Sequence, residues 1–288
     1  VIAYSFKELG HSYKKITYSA IFSISGGHRM EKPQEITIKS SIDGSREPCL
    51  FANAGRSGAT PLVVALHTWS TDRYNQVEHI LPFIKERRWN ALFPEFRGSN
   101  LMENPRAHEA CGSQLAMQDV VDAIDQICAQ SCFTDSPLFL VGGSGGGHMA
   151  LMMAAYSPDL WDLVFASCSI TNLAQWHQEN TAYTPHIEAC CGGAPDSPEQ
   201  LQKYKKRSPA EYAEKIAQAH VYIAHGKEDA SVPFSHSLDL YNQIYNINKE
   251  SQVYLEIFQG GHELRLDDAF ALFDRQIEKK LSGESLSG

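Results

Sequence analysis

Three short stretches of this chain carry side chains that could do nucleophilic chemistry together. Ser144 sits inside Gly142-Gly143-Ser144-Gly145-Gly146-Gly147. Asp229 lies in His225-Gly226-Lys227-Glu228-Asp229-Ala230-Ser231-Val232-Pro233, and His262 in Gly260-Gly261-His262-Glu263. A serine hydroxyl is a poor nucleophile until a base removes its proton during attack. An imidazole can take that proton, provided a carboxylate orients the ring and stabilises the imidazolium that forms. Ser144 as nucleophile, His262 as base and Asp229 as acid would supply those three roles. Glu228, beside Asp229, is the alternative acid.

The serine's setting is what such chemistry needs. Leu138-Phe139-Leu140-Val141 is an apolar run of strand length, and Met149 to Ala155 are mostly good helix formers. A strand, a sharp glycine-rich turn and a helix together make the G-x-S-x-G elbow, in which the residues two before and two after the serine must be tiny. Gly142 and Gly146 meet that demand. The Gly145 N–H and the helix N-terminus would then face any developing negative charge. Two other readings compete. Gly145-x-Gly147-x-x-Ala150 also satisfies the loose dinucleotide fingerprint, but the next strand ends in Ala166-Ser167-Cys168 without the carboxylate that fingerprint wants. A glycine-rich turn without chemistry is the other.

A second oxyanion donor is expected from the loop after the apolar run Pro61 to Leu66. There His67-Thr68-Trp69-Ser70 follows directly, and the Trp69 backbone N–H is the favoured donor, with Thr68 next to it. His67 itself reads as a structural histidine pinning the loop, and His148, on the elbow helix, as a packing residue.

These stretches need elements to position them. Gln34 to Lys39 alternates in the manner of a half-buried strand, and Asp43-Gly44 turns it toward a partner at Cys49 to Ala52. Further strands are expected at 61–66, 90–93, 137–141, 160–167, 219–224 and 253–258. Helices are expected at about 74–88, 113–129, after Gly147, at 235–246 and at 267–281. Alternating strands and helices imply a mostly parallel sheet with helices on both faces. His67, Ser144, Asp229 and His262 all follow strands, and the ligand crevice of such sheets lies at the strands' carboxyl ends. Asp119, Asp122 and Asp125 fall at helical spacing and read as a solvated face, with an Arg97 contact as the alternative for Asp119. Residues 170–216, rich in Trp, Tyr, His and Pro, read as a long inserted connection roofing the site. Within it Trp176, His177, Tyr183 and His186, together with Thr68, are candidate substrate contacts.

Composition bounds the rest. With 288 residues, 43% hydrophobic and 20% charged, the chain has the make-up of an ordinary globular protein. A net charge of −9 argues against nucleic-acid binding, and no apolar run approaches the roughly 18 residues of a membrane span. Seven cysteines, an odd number, fit a reducing cytoplasmic compartment slightly better than a secreted disulfide framework. Their spacing forms no zinc motif, and Cys168 reads as a core filler. No metal or cofactor is expected. Residues 1–29 are expected to be a leader or a poorly packed segment, and 30–288 a single domain.

Taken together, PEFRGS at 94–99, GGSGGG at 142–147, RSPAEYA at 207–213, HGKEDASVP at 225–233 and GGHE at 260–263 resemble one known group. The chain from about residue 60 onward is similar to the α/β-hydrolases, and among them to the catalytic domain of prolyl oligopeptidase-like (S9-like) enzymes and related bacterial esterases. The resemblance implies an α/β-hydrolase fold with an inserted cap region, and the same three roles for Ser144, Asp229 and His262. The chain departs from the S9 peptidases in three places. Only about 60 residues precede the core, where those enzymes usually carry a propeller; Gly145 follows the serine; and the oxyanion loop is HTWS. These departures point to a carboxylesterase acting on a small-molecule or carbohydrate-linked ester, such as a feruloyl or acetyl ester. An S9-like peptidase or aminopeptidase is the first alternative, though no double-Glu motif for a substrate amine is present. A non-catalytic binding protein on the same fold is the second.

Overall fold

The computed structural model describes residues 32–56, 59–131 and 136–282. The expected leader lies outside the described residues. The predicted hairpin forms from β1 (Gln34–Lys39) and β2 (Arg46–Ala52), antiparallel, with Ile36 opposite Cys49. Six more strands follow: β3 (Leu62–Leu66), β4 (Asn90–Pro94), β5 (Leu138–Gly143), β6 (Leu163–Ser167), β7 (Val221–Gly226) and β8 (Val253–Phe258). They make one eight-stranded sheet in the order β1-β2-β4-β3-β5-β6-β7-β8. β2 runs against both neighbours, and every other pair is parallel. This is the α/β-hydrolase arrangement.

The sheet is covered on both faces, which is why its central strands read as unbroken apolar runs. Every residue of β3, β4, β5 and β6 is buried. Successive side chains alternate between two cores, as strand geometry requires. Leu62, Val64, Leu66 and Leu140 meet α2 (Gln114–Ser131), α3 (Gly145–Tyr156) and α8 (Ser235–Ile247). Val63, Ala65, Phe139 and Val141 meet α1 (Val77–Arg87) and α9 (Leu266–Ser282), where Phe139 stacks on Phe273.

Residues 170–216 are more regular than a long connection. They form four short helices, α4 (Leu173–Glu179), α5 (Thr184–Cys191), α6 (Pro198–Lys205) and α7 (Ala213–Ile216). The prolines that look like breakers are starters: Pro185 and Pro198 occupy first-turn positions, where the missing N–H costs nothing. Asn172 and Ser197 cap α4 and α6 through their side-chain oxygens. A third core of Trp69, Leu173, Trp176, Ile187 and Tyr204 holds these helices to the domain.

Asp119 does not lie on a solvated face; both it and Arg97 are buried. Arg97 Nε and Nη2 donate to the Asp119 carboxylate at 2.5 and 3.0 Å, Nη1 to Asp43 at 2.7 Å and to Glu109 at 3.0 Å, and Nη2 to Ser40 Oγ at 3.1 Å. Burial pushes the Asp119 carboxyl up, against the pull of Arg97, whereas Arg97 holds the carboxyl of Asp43 well below the usual carboxylate range. One guanidinium thus joins the hairpin turn, the loop after β4 and α2. Removing it leaves buried carboxylate uncompensated, which typically costs about 3–5 kcal/mol. Arg97→Met is expected to lose about that much in urea unfolding followed by circular dichroism, with Arg97→Lys failing to recover most of it, because an ammonium lacks the planar fork.

Candidate active site

At the end of β5 the backbone folds back sharply. Ser144 takes φ 57° and ψ −121°, a region that costs an L-residue on the order of 1–3 kcal/mol unless its surroundings enforce it. They do. Its N–H donates to the Ser167 carbonyl at 2.9 Å, and its carbonyl accepts from the His148 N–H at 2.9 Å. A Cβ on Gly142 would collide with the Gly146 carbonyl, so strand and helix can cross here only through glycine. A Cβ on Gly145 would collide with the Trp69 backbone nitrogen. The Gly145 and Trp69 peptides therefore lie side by side next to Ser144, and neither N–H has an acceptor among the described residues.

The loop that brings Trp69 there is pinned by His67. Its buried ring stacks on Phe96 with centroids 3.9 Å apart, Nδ1 lies 2.8 Å from the Thr68 carbonyl, and Nε2 lies 3.0 Å from the Glu95 carbonyl. Below the loop, Asn100 N–H donates to the Trp69 carbonyl at 2.8 Å. His148 is likewise buried, with Nε2 donating to the Arg207 carbonyl at 2.7 Å; burial lowers its pKa to about 4.

Asp229 and His262 meet across the ends of β7 and β8. The backbone N–H groups of Lys227 and Glu228 donate to the carbonyls of Phe258 and Gly260 at 2.9 and 2.8 Å, which fastens the two loops together. His262 Nδ1 then donates to Asp229 Oδ2 at 2.7 Å. The carboxylate is held on all sides: Oδ1 accepts the N–H groups of Ser231 and Val232 at 2.9 Å each, and His225 Nε2 lies 3.3 Å from Oδ2. Burial alone would raise the Asp229 pKa. The bonds from His225, His262 and the Val232 N–H outweigh it and hold the group well below the usual carboxylate range. The pKa of His262 rises to about 9, first through the bond to Asp229, then through Cys168, against the opposing effect of burial. Glu228 points elsewhere: its exposed carboxylate accepts from Gln259.

Ser144 and His262 line the same cavity, about 300 Å³, whose walls include Thr68, Trp69, Cys168, Tyr183 and Leu264. The Ser144 hydroxyl has no hydrogen-bond partner among the described residues. Of the candidate substrate contacts, Thr68 and Tyr183 reach this cavity. Trp176 lies behind Trp69, its ring 4.9 Å away and its Nε1 donating to the Ser231 carbonyl at 2.9 Å. His177 Nε2 is 2.9 Å from Glu188 Oε1, and His186 Nδ1 accepts the Met102 N–H at 3.1 Å. These three stand outside the cavity lining.

Cys168 is more than a core filler. It follows β6 with φ 48°, and its thiol lies with Asp229 and His262 in a group whose donor atoms fall within 4.8 Å of one another. Such a trio can hold a cation in principle, but both Asp229 oxygens already accept hydrogen bonds, so an ion would have to displace His262 from its partner. Cys168, Leu264 and His225 are absent from the sequence-based site. The one available signal was for His225, which opens the Asp229 motif four residues upstream.

Comparison with known proteins agrees with this architecture. The profile of the prolyl oligopeptidase family matches residues 79–271. Acylamino-acid-releasing enzyme 1 of Oryza sativa subsp. japonica is 23% identical over 226 residues, covering 73% of this chain and 29% of that enzyme. The Pyrococcus horikoshii acylaminoacyl peptidase superposes with a TM-score of 0.71 at 20% identity, over 91% of this chain and 43% of its own. A Pyrococcus furiosus esterase superposes with a TM-score of 0.63 at 13% identity, over 86% of this chain and 90% of its own. The chain thus spans less than half the length of the two acylamino-acid-cleaving relatives. With the family match running through Ser144, Asp229 and His262, the chain belongs to the prolyl oligopeptidase family.

Proposed function

We propose that the protein is a serine hydrolase that cleaves carboxylic esters through an acyl-enzyme. The observation that carries this reading is the His262–Asp229 bond together with a serine in an elbow conformation, with Ser144 and His262 lining one cavity. Ser144 Oγ attacks the ester carbonyl carbon, and His262 takes the hydroxyl proton. The oxyanion of the tetrahedral intermediate accepts hydrogen bonds from the Gly145 and Trp69 N–H groups, the first at the N-terminus of α3, where the helix dipole adds to the pull. When the intermediate collapses, His262 gives its proton to the leaving alcohol. Water, deprotonated by the same imidazole, then releases the acid and restores the serine. Asp229 stays ionised throughout and holds the ring in the tautomer that leaves the second nitrogen basic.

Two features favour an ester over a peptide. The cavity is small and bounded by Tyr183, Trp69 and Leu264, which suits a short acyl or alcohol group. Its lining holds a single carboxylate, Glu263, rather than the pair of carboxylates that would clamp a free substrate amine. The Pyrococcus furiosus esterase, matched over nearly its whole length, supports the same reading. Cleavage of N-acylated peptides is the second reading, favoured by the two acylamino-acid-cleaving relatives. A panel of p-nitrophenyl esters of increasing acyl length, methyl ferulate, acetylated xylose and N-acetylalanine p-nitroanilide separates the two. Short esters turning over at least tenfold better than the anilide is the expected result, and the reverse order would establish the peptidase.

A fluorophosphonate probe is expected to label the wild-type protein at Ser144. Ser144→Ala should lose the label and about 10³-fold or more of ester hydrolysis. Labelling that survives the substitution would disprove the assignment. Because the base must be neutral, kcat/KM for a short ester should climb as pH rises toward and through about 9. Asp229→Asn removes the main cause of the raised pKa, so the His262 titration followed by NMR should move to lower pH while the rate falls. An unmoved midpoint would mean that Asp229 does not hold the ring.

A further inference from the structure

A larger cavity, about 700 Å³, lies between the inserted helices, the N-terminal end of α2 and the C-terminal end of α3. It shares no lining residue with the cavity at Ser144. Its floor is apolar: Met117, Met152, Ala155 and Cys191 are buried or nearly so. Its mouth is cationic, with Lys203, Lys206, Arg207 and Lys215, and no carboxylate lines it. In a chain of net charge −9 that concentration of positive charge is local.

The four cations are not equivalent. Arg207 is structural: Nη1 donates to the Ala110 and Cys111 carbonyls at 2.5 and 3.1 Å, and Nη2 to the His108 carbonyl at 2.5 Å, which builds one wall. Lys203 Nζ donates to the neutral Gln200 amide at 3.0 Å. Lys206 and Lys215 make no ion pair among the described residues, and the nearest ring to Lys215 Nζ is Tyr212, at 6.0 Å. Three ammonium groups without counter-charges thus ring an apolar hollow whose size falls in the range of about 300–1,000 Å³ for small-molecule sites.

We propose that this cavity binds an amphiphilic anion, with one apolar tail on the methionine floor and a carboxylate or phosphate head among Lys203, Lys206 and Lys215. The tail removes the apolar floor from water, and the head replaces water on ammonium groups that have no internal partner. A neutral tail would leave the cations unused, and a tailless anion would leave the floor wet. The site stands apart from catalysis, yet it touches the same helix: Met152 and Ala155 lie two to three turns beyond Ser144 on α3.

The test uses the Ser144→Ala protein and titration calorimetry with sodium decanoate, decyl phosphate, decanol and inorganic phosphate. Decanoate or decyl phosphate is expected to bind at least tenfold more tightly than either decanol or inorganic phosphate; which of the two binds better identifies the head group as carboxylate or phosphate. The exposed double variant Lys206→Glu/Lys215→Glu should lose tenfold or more of that affinity while keeping the circular dichroism spectrum. A decanoate carrying a terminal diazirine should cross-link to peptides containing Met117 or Met152. Decanol binding as tightly as the anions, unchanged affinity in the double variant, or cross-links confined to the peptides of Thr68 and Leu264 would each overturn the proposal. These outcomes do not depend on which bond the protein hydrolyses.

Discussion

The fold depends on one steric constraint: four stretches of backbone converge at the carboxyl end of β5 with no room for a side chain between them. The strand, the first turn of α3, the loop after β3 and the end of β6 all meet around Gly142, Gly145, Gly146 and Gly147. Their closeness holds Ser144 at a φ of 57° and sets its peptide against that of Trp69. An alanine at Gly142 would meet backbone, which has nowhere to move, rather than the yielding tip of a side chain. Strain at the serine is therefore enforced by the surrounding main chain, and the parallel sheet with its two covering layers supplies the rigidity that makes this tolerable.

Around that point the charges are arranged in two different ways. Arg97, itself buried with Asp119, gathers Asp43, Glu109 and Asp119 into one cluster that fixes the loop beneath Trp69. Its work is positional, through Asn100 and the backbone it holds. Asp229 is instead a single carboxylate surrounded by donors, two peptide N–H groups and two imidazoles. Three of those four contacts do not involve His262, which reaches the carboxylate through one bond. The ring is also the more open of the two, 31% exposed against 0% for the carboxylate side chain.

Much of this architecture is legible in the sequence because it rests on local signals. Apolar runs mark the buried strands, glycines mark the elbow, and the chemical residues come directly after strands. The less legible parts depend on tertiary contact. Asp119 has the same helical spacing as Asp122 and Asp125, and only the approach of Arg97 from the loop after β4 makes it a buried partner. The helices of 170–216 are hidden because Pro185 and Pro198 look the same in a loop and in a first helical turn. Trp176, His177 and His186 resemble substrate contacts by composition, but they pack on or bond to Trp69, Glu188 and Met102. Cys168 reads as core because it ends an apolar strand, and the left-handed turn that swings its thiol toward His262 leaves no mark in the local sequence.

That thiol bears on how inhibitors of this protein are to be interpreted. A small alkylating or disulfide-forming reagent that reached Cys168 would deposit its adduct against the imidazole, in the cavity that Ser144 lines, without touching the serine itself. Sensitivity to such compounds would imitate the profile of a cysteine hydrolase. Protection by reducing agents during purification would then reflect an accident of neighbourhood, and a Cys168→Ser background is the proper one for sorting reagents by the group they attack.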